Sequence, residues 1–178
     1  MTLEAAIPLA YFITFTCYGT WLHGEKPTSV DRLCNTPGTD FLVQNPKRAQ
    51  LVKVQMSEPP YLLDHKRRNI VLKSIKEVCT YRKWSLFAAH VRSNHVHLVL
   101  HAMSKPEIVM NTIKAYASRQ LNESPLDISR MNRWTRHGST RYLWEEEEVE
   151  ATIHYVVHEQ GELMAFYENK DRLVVGDL

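Results

Sequence analysis

Residues 94–101 read Asn-His-Val-His-Leu-Val-Leu-His, and this alternation leaves the stretch few conformations. Successive side chains of a strand point to opposite faces, so His95, His97, Val99 and His101 share one face while Val96, Leu98 and Leu100 share the other. A chain with such a segment must build a sheet that buries aliphatic side chains on one side and gathers imidazoles on the other. A lone histidine in that setting is most often a hydrogen-bonded core residue, and His101 is read that way. His95 and His97 differ, because two neutral imidazoles side by side are costly to desolvate and gain most by sharing one divalent ion.

The surrounding pattern supplies the rest of the sheet. LAYFITFTCY, from Leu9 to Tyr18, is aromatic and β-branched without a breaker and reads as a central strand. Ser85 to Val91 reads as another, joined to the histidine strand by the short turn Arg92-Ser93-Asn94 as an antiparallel hairpin. Asp64 is placed to cap a helix that runs to about Trp84, with Ile70, Val71, Ile75, Val78 and Cys79 at helical spacing and a basic opposite side. Pro106 suits the first turn of a second helix reaching about Asn122. Residues 138–144 read as a short strand, and 145–160 as a third helix whose four leading glutamates favour the positive end of its dipole. The order predicts an α+β fold: a ferredoxin-like antiparallel sheet (βαββαβ) with helices on one face, plus a C-terminal helix.

Composition sets the boundaries. The 178 residues, 44% hydrophobic and 24% charged, fit a single domain over 1–178 with an insertion at about 19–63, where glycines and prolines punctuate short apolar pieces around a short helix near 47–56. A net charge of +2 permits a polyanionic partner without demanding one. Cys17, Cys34 and Cys79 form neither a disulfide framework nor a cysteine zinc site, so a reducing, cytoplasmic compartment is expected. The N-terminal apolar run is too short and interrupted for a membrane span.

Asn94-His95-Val96-His97-Leu98 resembles the His-hydrophobic-His core of the HUH endonucleases. Its place after a strand and before a helix, with a tyrosine helix further on, resembles the Y1 transposase family, which includes the IS200/IS605-type and REP-associated tyrosine transposases. The likeness runs from the first strand through the third helix. It implies a transposase-like DNA nickase and ligase in which a tyrosine attacks a phosphodiester of single-stranded DNA, leaving a 5′-phosphotyrosine. A divalent metal, Mg²⁺ or Mn²⁺, held by the histidine pair would polarise the phosphate.

Two tyrosines stand on helices. Tyr116 falls among Val109, Ile113, Ala117 and Leu121 and reads as a core residue. Tyr155 lies away from the stripe of Val149, Ile153, Val156 and Val157, pointing nearly opposite, so core packing does not explain it. By resemblance Tyr155 is the nucleophile, and the third metal ligand is Glu159 at i+4 or Gln160 one position later, with His158 a weaker candidate. A tyrosine that projects away from the face on which its helix packs can reach a second subunit's histidines, so a homodimer is expected.

A single-stranded or hairpin DNA partner needs cations for phosphates and aromatic groups for bases. Arg130, Arg133, Trp134, Arg136 and Arg141 interleave both just before the tyrosine helix, and Lys114 adds a cation on the second helix. Equally, this stretch reads as a solvated loop with Trp134 tucked into the core. The resemblance implies hairpins at mobile-element or repeat ends as substrates. The alternative is a domesticated hairpin-binding protein without cleavage activity, to which Glu159 in place of the family's usual amide is the one pointer. A three-histidine zinc site ranks last, since His95 and His101 on a flat strand lie roughly 20 Å apart.

Overall fold

The computed structural model describes residues 7–20, 56–127 and 129–171. Among them, strands β1 (Ala10–Thr16), β2 (Ser85–Val91), β3 (His95–His101), β4 (Ser139–Leu143) and β5 (Ala165–Glu168) form an antiparallel sheet in the order β4-β1-β3-β2-β5. Helices α1 (His65–Arg82), α2 (Pro106–Glu123) and α3 (Glu146–His158) cover it. The first four strands and two helices have the expected βαββαβ order. The strand β5, which pairs along the outer side of β2, was not anticipated: its four residues are too few for a periodic signal, and only the free edge of β2 gives them a partner. The larger part of the expected insertion, 21–55, lies outside the described residues, and with it the short helix expected near 47–56.

The two faces of the sheet carry separate cores. Tyr11, Ile13 and Phe15 of β1 and Val96, Leu98 and Leu100 of β3 face α1 and α2, meeting Val71, Ile75, Val109, Ile113 and Leu121. Full burial of each such side chain stabilises by roughly 1.5–3 kcal/mol before ordering entropy is charged against it. On the reverse face Ala10, Val99 and Leu143 meet Val149, Ile153, Val156 and Val157 of α3. A bulge between Leu86 and Ala88 explains how the consecutive residues Phe87 and Ala88 both join this second core.

Local chemistry sets the joints. The Asp64 carboxylate accepts the Arg67 backbone N–H at 2.8 Å and starts α1. Gly138 leads into β4 where an added Cβ would stand 2.5 Å from the Thr14 carbonyl oxygen, so no side chain fits there. The Tyr61 and Leu63 N–H groups donate to Tyr18 and Ser93 carbonyls, tying the start of α1 to the hairpin turn before β3. Among the described residues no helix is long and apolar enough to cross a membrane.

Candidate active site

Antiparallel register puts Thr14 of β1 and His90 of β2 on either side of His97, all on the α3 face. Thr14 Oγ1 lies 2.8 Å from His97 Nδ1, and the Asn94 side-chain oxygen lies 2.7 Å from His95 Nδ1. Each imidazole thus has one nitrogen tethered to an oxygen, and with the proton on Nδ1 the lone pair is left on Nε2. The two rings lie 4.7 Å apart between centroids. Desolvation pushes both histidines down to about 4; Arg92 adds to this at His95, and His95 adds to it at His97. Both are therefore neutral at physiological pH and can donate to a cation.

The residues that follow α3 differ in where they point. The Gln160 side chain acts on both imidazoles as a hydrogen-bond acceptor, pulling their affinity for protons upward against desolvation, while its Nε2 donates to the Tyr155 carbonyl at 3.3 Å. Glu159 instead sits on the exposed side, its Oε1 accepting from His154 Nδ1 at 2.9 Å. Among the described residues no cluster of three or more histidine, cysteine or acidic side chains is arranged to hold a metal ion. Of the expected third ligands, Glu159, Gln160 and the weaker His158, the Gln160 amide is the one that interacts with both imidazoles, and the Glu159 reading is corrected because that carboxylate is turned to His154. The Glu159 N–H still closes the last turn on the Tyr155 carbonyl at 3.2 Å, so it is the side chain, drawn to His154, that leaves the carboxylate away from the pair. The acidic residue that pointed to a non-cleaving protein does not face the pair. The donor set present, two neutral imidazoles and an amide oxygen, fits a divalent ion that keeps water as its remaining ligands.

Tyr155 stands beside His97 of the same chain. Its ring centroid is 6.1 Å from that of His97 and 6.1 Å from that of Phe12, and Phe12 in turn stacks on His97 at 5.7 Å. The side chain is 41% exposed, so solvent reaches the phenol. The expected projection away from the sheet is corrected here. Thr152 is buried with the apolar stripe and widens it, and Tyr155 follows about 60° beyond that edge rather than opposite. A long side chain at the flank of a packed stripe leans down onto the sheet. The composite two-subunit site that motivated a homodimer is not needed.

Two residues that the sequence did not single out complete the surroundings. His90 is fully buried, with Nδ1 donating to the Val156 carbonyl at 2.9 Å and Nε2 accepting the Met164 N–H at 3.2 Å. It binds the turn of α3 that carries Tyr155 to the sheet and to the approach to β5. Its pKa is lowered by burial. Arg92, at the hairpin turn, places a cation close enough to depress His95, and its guanidinium donates to the Glu162 carbonyl. Neither leaves a sequence signal beyond a histidine in an apolar strand and an arginine in a turn.

Most of the candidate DNA contacts are spent inside the protein. Lys114 is 7% exposed and donates to the Thr135 and His137 carbonyls at 3.0 and 3.1 Å, with desolvation pulling its pKa down to about 8. Arg133 is 3% exposed and binds Asp127 and Asn122. Arg130 lies over Tyr61 and Tyr18 and donates to the Asn132 and Pro59 carbonyls. Trp134 packs edge-on against Phe15, and its indole N–H donates to Ser118 and Lys114. The connection between α2 and β4 is irregular, and these donors satisfy its carbonyls and carboxylates. Arg136 and Arg141 remain on the surface, Arg141 lying 3.4 Å from Glu148. Tyr116 packs against the main core and His101 Nδ1 donates to the Leu9 carbonyl.

The family model described as "Transposase IS200 like" matches residues 48–159. A solved structure of a REP-associated tyrosine transposase bound to a REP hairpin is similar at 11% identity, with 88% of this chain and 71% of that one covered and a TM-score of 0.44. No curated protein matches the chain.

Proposed function

The chain belongs to the IS200-like transposase family, and from that premise we propose that it is a metal-dependent endonuclease and strand transferase for single-stranded DNA, acting through a 5′-phosphotyrosine on Tyr155. The observation that carries this reading is the Tyr155 ring beside His97 at 6.1 Å, on a face where two neutral imidazoles converge. The Tyr155 oxygen forms a bond to phosphorus as the bond to the 3′-oxygen breaks. The phenolic proton leaves to solvent, and the departing oxygen takes one up. Rejoining is the reverse reaction with a new 3′-hydroxyl. His95, His97 and the Gln160 amide would hold Mg²⁺ or Mn²⁺, which when bound draws charge from the phosphate oxygens. Thr14 and Asn94 orient the two imidazoles, Phe12 walls the site, and Arg92 supplies a cation for an adjoining phosphate.

DNA hairpins at mobile-element or repeat ends are the proposed substrates. With Tyr155 beside His97 of its own chain, one subunit holds a full set of groups. The test is incubation of the purified protein with Mn²⁺ and hairpin DNA from the ends of its own locus. A covalent protein–DNA adduct that survives denaturation is expected. No adduct from the wild type on any such hairpin, or an adduct undiminished in Tyr155→Phe, overturns the proposal.

A further inference from the structure

On the β1–β4 side of the histidine pair a groove of about 550 Å³ opens between the sheet and α3. Phe12, Arg141, Glu147, Glu148, Thr152 and Tyr155 line it. Its volume falls within the range of small-molecule sites, and Phe12 and Tyr155 are walls it shares with the candidate active site. We propose that this groove receives the nucleobase adjoining the scissile phosphate and selects one that carries an amino group next to a ring-nitrogen acceptor, as adenine and cytosine do. The proposal rests on the placement of the scissile phosphate at the histidine pair.

Charge decides which part of a nucleotide enters. Glu147 and Glu148 make the groove hostile to phosphate, whereas Arg92, on the β2 side of the pair, favours it. A strand crossing the site therefore lays its backbone toward Arg92 and turns a base toward α3. There the faces of Phe12 and Tyr155 offer apolar aromatic surface for the base. Glu148 is held in place, its Oε2 accepting the Trp144 N–H at 3.0 Å and its Oε1 facing the Arg141 guanidinium at 3.4 Å. A carboxylate beside a guanidinium presents an acceptor next to a donor. The amino group of adenine or cytosine meets the first and the neighbouring ring nitrogen the second. Thymine offers carbonyl oxygens on either side of its single N–H, and these repel the carboxylate.

The test is fluorescence anisotropy of the full chain, in chelator to prevent cleavage, with labelled oligothymidylate and with the same strand carrying one adenine or one cytosine. The single substitution should tighten binding by about fivefold or more. That preference should vanish in both Glu148→Ala and Arg141→Ala, each variant serving as its own control because only the difference between strands is read. Equal binding of all strands, no binding of any, or a preference that survives in both variants overturns the proposal. Adduct formation with Mn²⁺ is scored separately. An adduct without base preference removes the groove and keeps the nuclease; base preference without an adduct does the reverse.

Discussion

Tyr155 and His97, 58 positions apart in the chain, bring their rings to 6.1 Å at an angle of 70° because α3 lies across β3 on the face opposite α1 and α2. The phenol is exposed while the imidazole is buried, so one partner is open to a substrate and the other is held by the sheet.

Tyr155→Phe should leave the fold intact, since the ring keeps its contacts with Phe12 and His97. The covalent adduct should fall to background while affinity for uncleaved DNA in chelator stays within about threefold, uniform binding being separable from chemistry. Denaturing gels and anisotropy report the two quantities.

Gln160→Ala should weaken Mn²⁺ binding by about tenfold or more, the scale seen when groups supporting a metal are removed. Glu159→Ala should have little effect, because that carboxylate is turned to His154. Titration calorimetry on both variants distinguishes them; equal losses would return Glu159 to the site.

His90→Leu should destabilise the protein by about 1–3 kcal/mol, as the Val156 carbonyl and Met164 N–H lose a buried partner. Adduct formation should slow as well, because the carbonyl concerned is one residue from Tyr155. Urea unfolding measures the first effect and single-turnover kinetics the second.

Lys114 predicts a pH dependence of stability. Its folded pKa of about 8 lies below the ordinary lysine value of 10.5, so between those values the unfolded chain binds more protons. Stability should therefore rise with pH across that window as the buried ammonium is neutralised. The rise should be smaller in Lys114→Met, and the difference between the two proteins in urea unfolding at the two ends of the window isolates this side chain.

Much of the fold was legible because its signals are local. The alternation in AYFITFT and HVHLVLH, the Asp64 cap and Pro106 at the head of α2 each depend on neighbours within a few residues. The histidine pair was legible for the same reason, since spacing by two on a strand puts both rings on one face whatever packs above them. β5 was not, being four residues that become a strand only beside β2. Nor were Thr14 and His90 as flankers of His97, because register between strands distant in sequence is a property of the assembled sheet.

By itself the sequence determined the elements from β1 to α3, their order, the imidazole face and the helix that bears Tyr155, since periods of two and 3.6 residues are written along the chain. Only the tertiary structure decided which groups meet. It turned Tyr155 down onto its own His97, put Gln160 rather than Glu159 with the imidazoles, and drew Lys114, Arg130, Arg133 and Trp134 inward. Those outcomes depend on where α3 crosses the sheet and on which carbonyls and carboxylates the irregular connection before β4 leaves to be satisfied. A residue's type states what it can bind, and burial states what it must bind first.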